Sequence, residues 1–181
     1  LTQAVHDNLR NLGLDVVDVV NLRAMFDVHG PAEGSLDEAL DVLADLKQQG
    51  LIRHIGLSNV TAKQIEDAGK ITDIVCVQNQ YNLAHRHDDA LIDTLAARGI
   101  AYVPFFPLGG FSPLQSSALS DVAAKLDATP MQVALAWLLQ RSRNILLIPG
   151  TSSRGHLREN LAAATIELPS EALSELEKVA G

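Results

Sequence analysis

The chain has 181 residues, of which 47% are hydrophobic and 20% charged, so it has enough apolar material for a folded core. Its net charge of -8 disfavours a generic nucleic-acid or anionic-membrane binder, because both need a basic face. We therefore expect one domain of a cytoplasmic protein whose partners include no nucleic acid and no membrane.

Five short apolar runs are the predicted strands. In chain order they cover residues 16–22, 51–57, 74–77, 100–106 and 145–148. They are rich in Val and Ile and do not alternate with polar residues, which is typical of strands that are buried on both faces of a parallel sheet.

The stretches before and between these runs carry helix signals. Three pairs match the capping-box spacing, in which a hydroxyl accepts the third amide of the helix and the side chain there reaches back. They are Ser35 with Glu38, Thr61 with Gln64, and Thr129 with Gln132. Further helices are predicted over residues 87–98 and 153–164, and from residue 169 onwards.

The alternation of strands and helices predicts right-handed β-α-β units. Two architectures fit this order: a doubly wound open sheet of five strands, or part of an eight-stranded (β/α) barrel. The Gly-rich turn G-x-G-x-x-G of a dinucleotide-binding Rossmann unit is absent from the sequence. One long loop, residues 107–117, follows a strand, and loops on that side carry function in both architectures.

The only cysteine, Cys76, excludes a disulfide within the chain and a cysteine-based zinc site. It lies in an apolar run, which favours a buried and unreactive thiol. His85 and His87 alternate in a loop, but no third ligand follows at a usual spacing, so no metal site is predicted. No apolar stretch reaches the roughly 18–20 residues of a membrane span. No signal peptide is visible, and a first residue other than methionine suggests that the chain began earlier.

Polar or aromatic side chains follow three of the predicted strands. Ser58 and Asn59 project from a strand end, where they either hold an amide-bearing ligand or cap the next helix. Gln78 ends a buried strand, and its amide needs partners that a cofactor pocket would provide. Phe105 precedes a glycine turn, where its ring either stacks on a flat ligand or packs in the core.

Residues 148–160 run from a strand into a helix and combine hydroxyls with basic side chains. Free amides at a helix N-terminus attract anions, so this segment is a candidate phosphate site. The alternative is an ordinary solvated cap with charges nearby.

In chain order, these segments resemble the aldo-keto reductases, and among them the small bacterial NADP-dependent oxidoreductases. Residues 9–18 are similar to the family's SLxxLGxDYIDL and residues 49–59 to its GKIRxIGVSN. Residues 78–82 resemble QxxYN and residues 105–109 resemble YSPLG, and the similarity covers nearly the whole chain.

The resemblance implies an α/β fold, a (β/α)8 TIM barrel that is incomplete here. Residues 1–181 would be the C-terminal portion of a single barrel domain, with barrel strands four to eight and without strands one to three. It also implies NADP(H) bound extended across the C-terminal face of the barrel. The implied activity is the NADPH-dependent reduction of aldehydes or ketones to alcohols by hydride transfer, with a small-molecule carbonyl substrate.

The resemblance assigns the nicotinamide end of the cofactor by position. Ser58, Asn59 and Gln78 would hold the nicotinamide carboxamide, and Phe105 takes the place of the family's stacking tyrosine. The positions along the pyrophosphate are Pro107, Leu108 and Gly109.

The adenosine end is assigned in the same way. The positions around the 2′-phosphate are Gly150, Thr151, Ser152, Ser153 and His156, and those near the adenine are Glu159 and Asn160. His156 stands where many members have arginine and Gly150 where many have lysine, which weakens the phosphate contacts. Arg154 is placed to compensate.

The family's reduction uses an aspartate, a tyrosine, a lysine and a histidine. The first three come from barrel strands one to three, so the resemblance implies that they lie upstream of Leu1. Arg23 occupies the histidine position, and a permanently charged guanidinium relays no proton. It either polarises or orients the substrate, or makes a positional salt bridge.

The sequence is compatible with three functions. The first is an NADPH-dependent reductase whose C-terminal part, this chain, has no appreciable activity alone. The second is a non-catalytic nucleotide-binding module for regulation or sensing, which the arginine at position 23 favours. The third is a fragment without independent function, because missing strands would expose sheet edges.

Overall fold

The computed structural model describes residues 1–110 and 114–179 of the chain. These residues form two compact units, Leu1–Asn79 and Gln80–Gly181. Residues 111–113 of the predicted loop 107–117 lie outside the described residues.

The first unit alternates helices and strands as predicted. Its elements are α1 (Thr2–Leu12), β1 (Val17–Arg23), α2 (Asp37–Gln48), β2 (Ile52–Ser58), α3 (Ala62–Ile71) and β3 (Ile74–Gln78). β1 pairs with β2 and β2 with β3, both in parallel. The three predicted strands of this part and their order are therefore confirmed.

The period of two along the strands separates an apolar and a polar face of this sheet. Leu22, Leu57 and Val77 are register neighbours on one face and are at most 8% exposed. α2 and α3 supply buried partners for the core of this unit, among them Leu43 and Ile65. Removing one such side chain would cost about 2–5 kcal/mol, so this face anchors the strands.

Of the two capping boxes predicted in the first unit, one is present in the structure and one is not. Thr61 Oγ1 accepts the Gln64 N–H at 3.2 Å and the Gln64 side chain accepts the Thr61 N–H at 2.9 Å, so that capping box is confirmed. The box predicted at Ser35 is wrong. α2 begins at Asp37 because Leu36, which is buried, takes the capping position, and the Ser35 hydroxyl accepts the Asp37 N–H in a local turn.

The second unit is mostly helical. Its elements are α4 (Asp89–Ala97), β4 (Ala101–Tyr102), α5 (Ser117–Lys125), α6 (Pro130–Arg141), α7 (Arg154–Ala162) and α8 (Ser170–Leu176), with short 3-10 helices at Ala163–Thr165 and Glu177–Val179. α6 forms the centre of the unit, since its residues 133–138 are all buried. The predicted capping box of Thr129 and Gln132 opens α6, with Pro130 at its first position.

The last two predicted strands are shorter than expected. β4 has two residues, and Pro104 follows closely without an N–H to pair. The run 145–148 forms only a parallel bridge between Tyr102 and Ile145, with the Leu146 N–H donating to the Tyr102 carbonyl at 2.9 Å. Leu146 and Ile148 beyond it are 60% and 45% exposed.

Among residues 1–110 and 114–179, no helix combines the length and the apolar character that crossing a bilayer requires.

Candidate functional site

The carboxyl ends of β1, β2 and β3 bring three predicted residues into one row. Arg23, Ser58 and Gln78 are register partners on the polar face of the sheet. Arg23 Nη1 donates a hydrogen bond to Ser58 Oγ at 3.1 Å. Ser58 is 3% exposed, Gln78 is half-buried and Arg23 is exposed. The row therefore offers a hydroxyl, an amide and a guanidinium side by side.

Asn59 follows this row in the left-handed conformation, with φ of 58°. Asparagine is one of the few residues other than glycine that tolerate it. Its Nδ2 donates to the carbonyl oxygens of Ala24, Asp27 and Gly30 at 3.1, 3.2 and 3.2 Å. Asn59 thus fastens the loop after β1 to the end of β2, and its side-chain amide hydrogens serve that loop.

Asn79 is a structural residue that the sequence did not single out. It is 1% exposed, and its Oδ1 accepts the Val60 N–H at 3.0 Å while its Nδ2 donates to the Val60 carbonyl at 2.9 Å. The side chain mimics a strand and continues the pairing of β2 with β3 by one step. Its partner Val60 lies 19 residues away in sequence, so local sequence patterns give no signal of this role.

A second row lies two residues earlier along each strand, on the same face of the sheet. It consists of Asn21, Gly56 and Cys76. The Cys76 thiol donates to Asn21 Oδ1 at 3.3 Å, and both atoms lie over Gly56. A Cβ added at Gly56 would overlap Asn21 Oδ1 and lie 2.5 Å from Cys76 Sγ, so a larger residue there would force both side chains to move. Burial raises the pKa of the Cys76 thiol, which keeps it protonated and unreactive, as its apolar run predicted.

In the second unit, the turn after β4 holds the predicted Phe105 and Pro107. Phe105 is half-buried, forms a parallel bridge with Gln80 and meets the Phe106 ring edge to face at 5.3 Å. Phe106 has φ of 55°, and its carbonyl accepts Nδ2 of the buried Asn82 at 3.0 Å. Pro107 is buried, and the other two predicted residues of the turn, Leu108 and Gly109, are half-buried.

The predicted phosphate segment opens α7. Ser153 is the capping residue: its Oγ accepts the His156 N–H at 3.4 Å, and its own N–H donates to Thr151 Oγ1 at 3.1 Å. No acidic residue lies in the first turn of α7. Residues 150–159 are exposed, including Gly150, Ser152, His156 and Glu159, and Asn160 is half-buried. The segment therefore presents hydroxyls and helix-start amides to solvent without a competing carboxylate.

Both tyrosines of the chain lie in the core of the second unit. The Tyr81 hydroxyl donates to Asp89 Oδ1 at 2.5 Å and the Tyr102 hydroxyl to Asp88 Oδ2 at 2.8 Å. Burial, and then the neighbouring carboxylates, raise the pKa of both phenols well above the ordinary value. Neither tyrosine is therefore suited to donate a proton to a substrate.

Metal chemistry has no visible support in the described part of the chain. Within residues 1–110 and 114–179, no three His, Cys, Asp or Glu side chains group as metal ligands. His85 is exposed and its ring nitrogen lies 3.4 Å from Asn82 Oδ1, in a local loop contact.

Parallel β-α-β units with polar side chains at the carboxyl ends of the strands define an α/β protein. Residues 1–180 match the model of the Aldo/keto reductase family, and the chain belongs to that family.

Two curated relatives illustrate the range of similarity. Pyridoxine 4-dehydrogenase of Escherichia coli is 72% identical over 180 residues, which are 99% of this chain and 63% of that protein. An uncharacterized oxidoreductase of Schizosaccharomyces pombe is 37% identical, over 98% of this chain and 57% of its own length. The chain thus spans about three fifths of the relatives that it matches.

Solved structures agree on the fold. A thermostable aldo-keto reductase in complex with the inhibitor epalrestat has 32% identity and a TM-score of 0.85, over 98% of this chain and 65% of its own. An aldo-keto reductase from Klebsiella pneumoniae in complex with NADPH has 24% identity and a TM-score of 0.84, over 98% of this chain and 63% of its own. The predicted α/β fold class of the TIM-barrel type is therefore confirmed.

Proposed function

We propose that this chain is part of a cytoplasmic NADP(H)-dependent oxidoreductase that interconverts alcohols with aldehydes or ketones by hydride transfer. The observation that carries the proposal is the family match over residues 1–180, together with the row of Arg23, Ser58 and Gln78 at the strand ends. The relative that is 72% identical carries the name pyridoxine 4-dehydrogenase, which supports an aromatic alcohol and its aldehyde as the substrate pair.

The strand-end residues fit the nicotinamide end of the cofactor. A carboxamide offers two N–H donors and one acceptor oxygen, and a hydroxyl and an amide beside each other complement it. Ser58 and the half-buried Gln78 supply these groups in the proposal, and Asn59 supplies its Oδ1, since its Nδ2 serves the loop. Phe105 would provide a ring face to stack on the nicotinamide.

The start of α7 fits the phosphate of the adenosine end. Unpaired amides of a first helical turn favour an anion, and Arg154 adds a cation in that turn. In the proposal, Glu159 and Asn160 lie near the adenine and the turn at Pro107, Leu108 and Gly109 lies along the pyrophosphate. When bound, NADPH supplies the hydride.

Arg23 is proposed to orient the substrate oxygen and to stabilise negative charge on it. A guanidinium does not exchange protons at physiological pH, so the acid must be another group. Tyr81 and Tyr102 are buried and bound to carboxylates, so neither serves as this acid. We propose that the family's aspartate, tyrosine and lysine come from polypeptide other than these 181 residues.

Nucleotide binding to the purified chain tests this proposal. Isothermal titration with NADP+ is expected to show one site, weakened about tenfold by Gln78→Ala because a half-buried hydrogen-bond partner is lost. Gln48→Ala, at an exposed position in α2, is the matched control and should bind as the unaltered chain does. Absence of NADP+ binding, or equal effects of the two substitutions, would contradict the assignment.

A nucleotide-binding module without turnover is the second candidate, and Arg23 in the histidine position favours it. An activity assay distinguishes the two candidates, and it uses a polypeptide that also carries the family's aspartate, tyrosine and lysine. An enzyme reduces pyridoxal or a related aldehyde with NADPH, whereas a module binds the nucleotide and leaves the aldehyde unchanged.

A further inference from the structure

Phe106 has a backbone conformation that a bulky residue rarely adopts. Its φ is 55°, in the left-handed region. Asn59 shares this conformation, but asparagine belongs to the residue types that tolerate it, whereas phenylalanine does not. Phe106 is also 40% exposed, so burial in a core does not explain why the conformation is kept.

The surrounding turn fixes Phe106 in this conformation from three directions. The buried Asn82 donates from Nδ2 to the Phe106 carbonyl at 3.0 Å, and the Gly109 N–H donates to the same oxygen at 3.0 Å. The ring lies against Gly110, where an added Cβ would be 2.7 Å from it. Backbone strain that is held by several contacts at once concentrates at functional sites. The turn therefore presents the Phe106 ring in a fixed place.

The rings of Phe105 and Phe106 form a corner. Their planes meet at 86° and their centroids are 5.3 Å apart, and Phe105 is aligned by its parallel bridge with Gln80. A flat aromatic ring in such a corner stacks with an offset on one ring and meets the other edge to face, and both arrangements are favourable. The turn follows the carboxyl end of β4, which is the side of the sheet where α/β proteins bind ligands.

We propose that Phe106 is a cofactor-binding residue, and that its ring and the Phe105 ring together receive the nicotinamide. The inference rests on the proposed function and adds a residue to its site. The family pattern YSPLG, which residues 105–109 resemble, has a serine at the place of Phe106 and so does not supply this second ring. The oxidised nicotinamide is flat and carries a positive charge, and the faces of aromatic rings attract such a cation.

The test compares NADP+ with adenosine 2′,5′-bisphosphate, which keeps the adenosine and its 2′-phosphate and lacks the nicotinamide. Calorimetric titrations use the 181-residue chain. Phe106→Leu is expected to lower the affinity for NADP+ about threefold to tenfold, because one aromatic contact is lost. The affinity for the bisphosphate should stay the same, since this ligand has no ring to place in the corner.

Two further variants control this result. Phe106→Tyr keeps a ring at the exposed position and should keep the affinity for NADP+. Phe26→Leu removes another exposed ring, which is 48% exposed and lies against Gly34 as Phe106 lies against Gly110. It should bind both ligands as the unaltered chain does. A circular dichroism melt shows that each variant is folded.

A measurement on the unaltered chain needs no variant. In a chain that is deuterated except at its phenylalanines, nuclear Overhauser contacts should join the nicotinamide protons of NADP+ to two different phenylalanine rings. Contacts with one ring or none would overturn the inference, as would an NADP+ affinity that Phe106→Leu leaves unchanged or an equal loss for the bisphosphate. NADP+ binding without the expected effects refutes only the role of Phe106. Absence of NADP+ binding refutes the proposed cofactor and the inference with it.

Discussion

The strand ends of the first unit and the start of α7 in the second unit carry similar polar side chains, but those at the strand ends are buried and those at α7 are exposed. Ser58 and Asn59 are 3% exposed, and they bond to Arg23 and to three backbone carbonyls. Thr151 and Ser153 are exposed, and the hydrogen bonds of their side chains reach no further than three residues along the chain. The first region is held by buried contacts between distant segments, whereas the second is held by local contacts at an exposed helix start.

This difference predicts two kinds of response to mutation. Changes at the strand ends should lower the free energy of unfolding, because buried contacts are lost or overfilled. Changes at the start of α7 should leave that free energy nearly unchanged and alter only the affinity for an anion, in a salt-dependent way.

Gly56→Ala should give the largest effect. The added carbon overlaps Asn21 Oδ1 and Cys76 Sγ beside the buried Gly56 backbone, so we expect the free energy of unfolding to fall by about 3 kcal/mol. Gly150→Ala is the matched control in the second region, because a Cβ there meets no atom within 4 Å. It should change the free energy by no more than about 0.5–1 kcal/mol. Urea unfolding followed by circular dichroism measures both, and equal costs would remove the contrast.

Asn59→Ala should give the next largest effect. It leaves the carbonyls of Ala24, Asp27 and Gly30 without their shared donor and puts alanine in a left-handed conformation, for a cost of about 2–3 kcal/mol. Asn160→Ala, at a half-buried position in α7, should cost less than about 1 kcal/mol. Urea midpoints of the two variants that coincide would contradict the account.

The two buried tyrosines of the second unit, Tyr81 and Tyr102, should make its stability depend on high pH. The pKa of both phenols is raised in the folded state, so the stability they contribute is complete below pH of about 10 and falls as the pH rises beyond it. Tyrosinate absorbance should therefore appear only together with unfolding. The fluorescence of Trp137, whose ring stacks on Tyr81 at 5.9 Å, reports the unfolding. Tyrosinate formation near pH 10 in a chain that remains folded would show that the phenols are accessible.

Arg154→Ala should give the smallest effect. The arginine is exposed, so its contact with a 2′-phosphate is worth about 0.5–1 kcal/mol, or a twofold to fivefold loss of NADP+ affinity. The loss should shrink at high salt and be absent for NAD+. Arg158→Ala, one turn further along the same helix, is the control and should bind as the unaltered chain does. An equal loss in both variants would mean that only net charge matters.

The sequence predicted the parts of the molecule that depend on local signals. β1, β2 and β3 lie where the apolar runs place them, and the boxes at Thr61 and Thr129 open their helices. The row of Arg23, Ser58 and Gln78 follows from the rule that parallel strands end at one edge. These features need only neighbours in sequence and one topological rule.

Features that depend on distant partners could not be predicted. The run 145–148 is apolar enough for a strand, yet it pairs only at Ile145, because a strand needs a partner along its whole length. The bonds of Asn59 depend on the path of the loop after β1, and those of Asn79 on the position of Val60, just before α3. In both cases a side chain binds backbone that lies far away in sequence, and composition carries no signal of that kind.

The central claim is that this chain carries cofactor-binding residues but no acid for the reaction. Stopped-flow mixing of the purified chain, loaded with NADPH, against excess pyridoxal tests both halves in one trace of NADPH fluorescence. The account predicts the altered fluorescence of bound NADPH and no decay beyond that of a protein-free control. Fluorescence identical to that of free NADPH would contradict the claim that the chain binds the cofactor. Decay at the rate of a full-length reductase would contradict the claim that it has no acid for the reaction.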